Sequence, residues 1–115
     1  MLQITPQHKL HVAMQPTDFR CGIDSLRAIC QQQLQLDPFS GNLFIFCNKH
    51  KTAVKILIYD GNGFWLCHKR FSQGKLKWWP NNSTEANNIR AIELVIMLQQ
   101  GHPFDAKMPL EWRQL

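Results

Sequence analysis

The stretch Asp37–Pro80, DPFSGNLFIFCNKHKTAVKILIYDGNGFWLCHKRFSQGKLKWWP, decides the fold. Leu43–Cys47 is a short apolar run, Asn48–Thr52 a polar connection, and Ala53–Tyr59 a second run rich in β-branched residues. This is the pattern of strands bounded by turn chemistry. Asp60-Gly61-Asn62-Gly63 comes next. Asp-Gly and Asn-Gly tolerate the positive φ of tight hairpins, so Phe64–Phe71 is expected to return antiparallel beside Val54–Tyr59. Ser72–Gly74 reads as another turn and Lys75–Trp79 as a last strand before Pro80. Four sequential strands joined by short turns make an antiparallel meander.

Upstream, Leu10, Val12 and Met14 alternate with Lys9, His11 and Ala13, the period of two of a half-buried strand. Pro16 ends it, and Thr17 or Asp18 is placed to cap an amphipathic helix over Phe19–Leu36, where Ile23, Leu26, Ile29, Cys30 and Leu34 recur at helical spacing. On the far side, Asn81–Thr84 is a polar break with Ser83 or Thr84 as candidate cap. The apolar positions from Ile89 to Leu98 cover more than one face, which predicts a buried helix over Glu85–Gln100, stopped by Gly101. The tail 102–115, with Pro103 and Pro109, is expected to be irregular. The sum is a single α+β domain, residues 1–115, in the order β-α-β-β-β-β-α, with both helices on one face of the sheet and the other face open to a ligand.

At 115 residues and 44% hydrophobic the chain can bury one modest core. No run approaches the roughly 18 to 20 apolar residues that cross a bilayer, and no charged start precedes an apolar run, so a cytoplasmic protein without a membrane partner is expected. Cys21, Cys30, Cys47 and Cys67 contain no C-x-x-C pair. In a reducing setting they read as buried thiols rather than as disulfides or a zinc site.

The charge is segregated. Lys49, Lys51, Lys55, Lys69, Arg70, Lys75 and Lys77 lie between residues 42 and 77 against the single acid Asp60, which leaves six basic and seven acidic side chains elsewhere. The surplus of +5 therefore belongs to the meander. Cations interleaved with Trp65, Trp78 and Trp79 suit a polyanion surface, with Lys and Arg on phosphates and rings on exposed bases. These seven residues are the candidate DNA contacts, and the tryptophans taken singly read first as core.

DPFSGNLFIF followed by a basic turn, then VKILIYDGNGFWLCHKRF and GKLKWWP, resembles the signature of the accessory protein encoded by the second reading frame of insertion-sequence-66-type bacterial transposable elements. The earlier block TDFRCGIDSL is similar to that family's other signature, in the same order and at a matching distance. The residues that carry the match are Thr17, Asp18, Arg20, Gly22 and Asp24, then Asp37, Pro38, Phe39, Ser40 and Gly41, and then Asp60, Gly61, Gly63, Lys69, Arg70, Trp79 and Pro80. The family carries Lys at the position of Cys21 and Arg at that of Cys47. The resemblance implies a non-enzymatic factor of transposition, working beside a separate transposase and other proteins of the same element. Read as residues alone, Asp18 caps the helix, Gly22 permits close packing, Arg20 pairs with an acid, Phe39 plugs the core and Gly41 opens a strand.

Catalysis has little support in the sequence. Two-metal transposition chemistry needs three converging carboxylates, and the eight acids here are scattered over caps, turns and helix faces. No phosphate-binding glycine loop occurs, and His8-x-x-His11 lacks further ligands for a metal, so no cofactor is expected. A protein-protein adaptor that never touches DNA, docking through Ile89–Leu98 and Trp112, is the alternative.

Overall fold

In the computed structural model, which describes residues 4–104, four strands form one sheet in the order β1-β2-β3-β4: Leu10–Val12, Leu43–Cys47, Ala53–Tyr59 and Phe64–Arg70. β2, β3 and β4 are the expected antiparallel meander, running from Tyr59 opposite Phe64 to Ala53 opposite Arg70. The hairpin forms as its sequence predicts. Asp60 N donates to Gly63 O at 3.0 Å, the Asp60 carboxylate accepts from Asn62 N and Gly63 N, and Gly61 takes φ +105°.

β1 lies parallel to β2, Leu10 opposite Leu43. A parallel neighbour requires a crossover, and the connection carries the helix α1, Ile23–Gln32. α1 is shorter than the expected Phe19–Leu36. Asp18 folds its carboxylate onto Arg20 rather than capping, the helix opens at Gly22 without a side-chain cap, and Gln35 at φ +56° follows the exit.

The second expected helix, 85–100, is two helices, α2 Ser83–Asn87 and α3 Ala91–Leu98. Asn82, not Ser83 or Thr84, caps α2 by accepting from Glu85 N at 2.8 Å. Arg90 sits in extended backbone, and its N–H donates to the Glu93 carboxylate at 3.0 Å, which starts α3 afresh. α3 ends at Leu98, two residues short of the expected Gln100, in a paired termination: Gly101 N to Ile96 O and Gln100 N to Met97 O, with Gln100 left-handed at φ +62°.

The sheet is covered on both faces. On one, Leu26 and Cys30 of α1 pack with Phe44, Phe46 and Leu57. On the other, Leu94 and Met97 of α3, with Phe71, Leu76 and Trp79, pack on Leu43, Ile45, Cys47, Val54, Ile56 and Ile58. The expectation of helices on one face and an open face opposite is therefore corrected. β2 and the first six residues of β3 are buried throughout because neither side of them meets water.

The expected strand Lys75–Trp79 runs along the sheet as an irregular segment whose backbone tie is Leu76 N to Lys51 O at 2.8 Å. Trp79 anchors it, 7% exposed, with Nε1 donating to Ala13 O at 2.9 Å. His102 and Phe104 rest against Trp78, with ring centroids 5.7 and 5.2 Å away. The rest of the tail, including Leu110 and Trp112, lies outside the described residues. All four cysteines are free thiols. Cys30 and Cys47 are buried, which pushes each thiol up to about 11, while Cys21 and Cys67 are only half-buried.

Candidate nucleic-acid interface

The turn between β2 and β3 is built by Asn48. Its side-chain oxygen accepts from Thr52 N at 2.9 Å and Ala53 N at 3.2 Å, its amide donates to Thr52 Oγ1 at 2.8 Å, and its carbonyl accepts from Lys51 N. These bonds hold Lys51 in the left-handed region, φ +59°, a conformation that costs a non-glycine residue about 1 kcal/mol. Lys49, His50 and Lys51 project from this turn, all exposed.

Backbone bonds then draw the later cations to the same end of the sheet. Arg70 pairs with Ala53, Phe71 N donates to Thr52 O at 3.0 Å, and Leu76 N reaches Lys51 O, which places Lys75 and Lys77 on either side of that contact. Gln100 fastens the intervening loop by donating to Gln73 O and Lys75 O at 2.8 and 3.1 Å. Arg70, Lys75 and Lys77 are exposed. Five of the seven candidates, Lys49, Lys51, Arg70, Lys75 and Lys77, thus share one end of the molecule.

The loop before α1 borders this end. Thr17 N donates to Cys47 O at 2.8 Å, and a cleft of about 710 Å³ opens between Pro16, Phe19 and Arg20 on one side and Asn48, Lys49 and His50 on the other. Asp18 lies in the cleft lining, but its charge is answered. Arg20 reaches it with a 2.6 Å ion pair and a backbone bond, which holds its carboxyl at about 2 and raises the guanidinium.

The other two candidates have partners within the chain. Lys55 is 6% exposed, and its ammonium donates to Phe19 O at 2.9 Å and Cys21 O at 2.8 Å, 4.9 Å from the Phe19 ring centroid. It faces α1 rather than solvent, because alternation along β3 sends it into the layer between sheet and helix. Lys69 is exposed, but its ammonium donates to Leu98 O at the C-terminal end of α3, where a cation complements the helix dipole.

The expected interleaving of rings with cations also changes. Trp79 is core and Trp78 half-buried. Trp65 is 57% exposed, with Nε1 donating to the Asp60 carboxylate at 2.7 Å, at the opposite end of β4 from Arg70. The rings that line the cleft beside the basic turn are Phe19 and His50.

Most of the motif residues build turns. Asp37 accepts from Phe39 N and Ser40 N, Ser40 Oγ accepts from Asn42 N, and Gly41 takes φ +85°. Pro38 and Pro80 are buried. Phe39 does not plug the core. It is 45% exposed and leans on Tyr59 and Phe64, with centroids 5.0 and 5.2 Å away. Asp24 pairs with Arg27 at 3.6 Å. Gly22 is not needed for close packing, since an added Cβ would meet nothing within 4 Å. That Asn48 builds the turn and Gln100 fastens the loop goes beyond the sequence expectations. An Asn at a strand end is a known turn former, whereas nothing local marks Gln100.

A family model for the IS66 Orf2 like protein matches residues 8–108. The chain belongs to the IS66 Orf2-like family. Its relatives include the uncharacterized protein y4hO of Sinorhizobium fredii, 37% identical over 106 residues, or 91% of this chain and 89% of that one. The uncharacterized protein y4jC of the same organism is 35% identical over 72 residues, 63% and 62% of the two chains. No solved structure matches. Membership in the IS66 Orf2-like family gives the protein an accessory role associated with transposition. Among the described residues no helix is long and apolar enough to cross a membrane.

Proposed function

We propose that this IS66 Orf2-like protein binds DNA through the basic end of its sheet, as a non-enzymatic partner of the transposase of the same element. The observation that carries the reading is the convergence of Lys49, Lys51, Arg70, Lys75 and Lys77, all exposed, on one end of the sheet by backbone pairing. Five phosphate contacts release enough counterions to make binding strongly salt-dependent. Lys51, held left-handed against its preference, is the kind of strained position found at functional sites. The carboxylates of Asp18, Asp24, Asp37, Asp60, Glu85 and Glu93 are each engaged in a local turn, cap or ion pair. That arrangement favours leaving the cutting chemistry to the transposase.

The test is fluorescence anisotropy against a labelled duplex from the terminal repeat of the parent element, beside a scrambled duplex, across a salt series. The expected slope of log K against log salt is about −4 to −5, reduced by roughly 0.9 for each cation removed. Absence of binding at low salt would overturn the reading in favour of an adaptor.

A further inference from the structure

β4 is an outer strand of the sheet, seven residues long. The other outer strand, β1, has three residues and lies beside α2. The register of the β3–β4 pair fixes which backbone groups of β4 face outward. Asp60 with Gly63 and Thr52 with Phe71 are hydrogen-bonded at the two ends of that register. Bonded and non-bonded pairs alternate in an antiparallel ladder, so Trp65, Cys67 and Lys69 bond inward to β3. Phe64, Leu66, His68 and Arg70 turn their N–H and C=O groups away from it. Among the described residues no strand pairs with that edge.

An unpaired edge of this length invites another strand, and proteins commonly guard such edges with lysine and arginine. Here the guard covers half the strand. β4 reads Phe64-Trp65-Leu66-Cys67-His68-Lys69-Arg70, aromatic at its start and cationic at its end. Laid antiparallel on a second copy about Cys67, Phe64 meets Arg70 of the partner subunit, Trp65 meets Lys69 of the partner subunit, and Leu66 meets His68 of the partner subunit. Each terminal cation then faces a ring across the strands, an attractive pairing, with no like charges opposite. The outward-facing pairs Phe64/Arg70 and Leu66/His68 fall at hydrogen-bonded positions, and the two Cys67 residues form the central non-bonded pair. Parallel stacking in register would instead set Lys69 against Lys69 and Arg70 against Arg70. The face of the Trp65 indole, which is 57% exposed in the single chain although its Nε1 donates to Asp60, is covered in this arrangement.

We infer that the protein forms a two-fold dimer in which β4 pairs antiparallel with β4 of a second copy about Cys67, making one continuous eight-stranded sheet. The proposal rests on the edge alone and stands whether or not the basic end binds DNA.

Sedimentation of the reduced full chain up to about 100 µM is expected to give twice the 13.4 kDa chain mass. In the non-bonded pair the two Cys67 Cα atoms lie about 4.5 Å apart, within disulfide reach. Diamide, an azo oxidant that takes the two electrons and two protons of a thiol pair, is expected to crosslink the dimer through Cys67 and to leave Cys67→Ser uncrosslinked. His68→Pro removes an outward N–H at an edge position that accepts proline and is expected to yield a folded single chain. Trp65→Lys sets like charges opposite each other and is expected to weaken the dimer about tenfold. Trp65→Lys/Lys69→Trp restores the complementary pairs, so dimerisation is expected to recover. This exchange decides the matter if His68→Pro fails to fold. A single-chain mass throughout, a dimer that does not crosslink at Cys67, or an exchange that fails to restore association would overturn the inference.

Discussion

The Lys55 ammonium donates to the backbone carbonyl of Cys21 at 2.8 Å, reaching from the middle of the sheet to the loop that leads into α1. The same nitrogen donates to Phe19 O. A cation in this position acts as a clamp. It docks the 17–22 loop on the sheet beside the Thr17 bond to Cys47, and so fixes one wall of the cleft whose other wall is the basic turn.

Replacing Lys55 with Met keeps much of the aliphatic stem but strands two carbonyls. An unsatisfied buried acceptor costs about 1–3 kcal/mol, offset in part because an ammonium no longer has to be buried. A net loss of about 1–2 kcal/mol is expected in urea denaturation. The salt slope of DNA binding is expected to stay at its wild-type value; a drop of one phosphate equivalent would put Lys55 on the DNA after all.

Lys51 offers a pair of effects with opposite signs. Glycine accepts φ +59° without the Cβ penalty, so Lys51→Gly is expected to stabilise the fold by about 0.5–1 kcal/mol, or a few degrees in Tm. It also removes one phosphate contact, so the DNA salt slope should shrink by about 0.9. Calorimetry and anisotropy on the same sample check both halves; a stabilised protein with an unchanged slope would remove Lys51 from the interface.

Trp79→Phe leaves the Ala13 carbonyl without its donor in a buried setting and shrinks a core side chain. A loss of about 1.5–3 kcal/mol is expected, read as a lower urea midpoint at unchanged m-value. A loss under about 0.5 kcal/mol would mean the bond to Ala13 adds little.

Asp18 sets a pH dependence. Its carboxyl is held at about 2, mainly by the Arg20 side-chain bond, against an ordinary 3.8. Because the folded value is the lower one, the stabilisation it provides is present above pH 3.8 and is lost as the pH falls toward 2. Carboxyl-carbon NMR is expected to show an Asp18 midpoint near 2, moving up toward 3.8 in Arg20→Gln. A wild-type midpoint near 3.8 would show that the ion pair does not persist in solution.

Local chemistry made much of the fold legible. The Asp60–Gly63 turn, the antiparallel register it imposes and the approximate bounds of β2, β3 and β4 rest on residues close in sequence. The motif blocks named the family. Helix limits are less legible. Asp18 had two competing hydrogen-bond options, the cap and the turn onto Arg20, and a periodicity count does not rank them. The break at residues 88–90 depends on Glu93 reaching back to Arg90, a three-residue contact that an apolar run conceals.

The antiparallel pairing of β2, β3 and β4, the α+β class and the segregation of positive charge are legible in the residues alone, whereas the expected fourth strand of the meander is not formed. Turn conformations and side-chain alternation are properties of neighbouring residues, and the pairing of a further strand is not. Long-range packing settles that both faces of the sheet are covered, that Lys55 is a clamp, and that Lys49, Lys51, Arg70, Lys75 and Lys77 share one end. The reason is physical: which layer covers a strand, and where the head of a long side chain finds its partners, depends on contacts such as Lys55 to Cys21 and Leu76 to Lys51. Those contacts join residues 34 and 25 positions apart, and no local pattern encodes them.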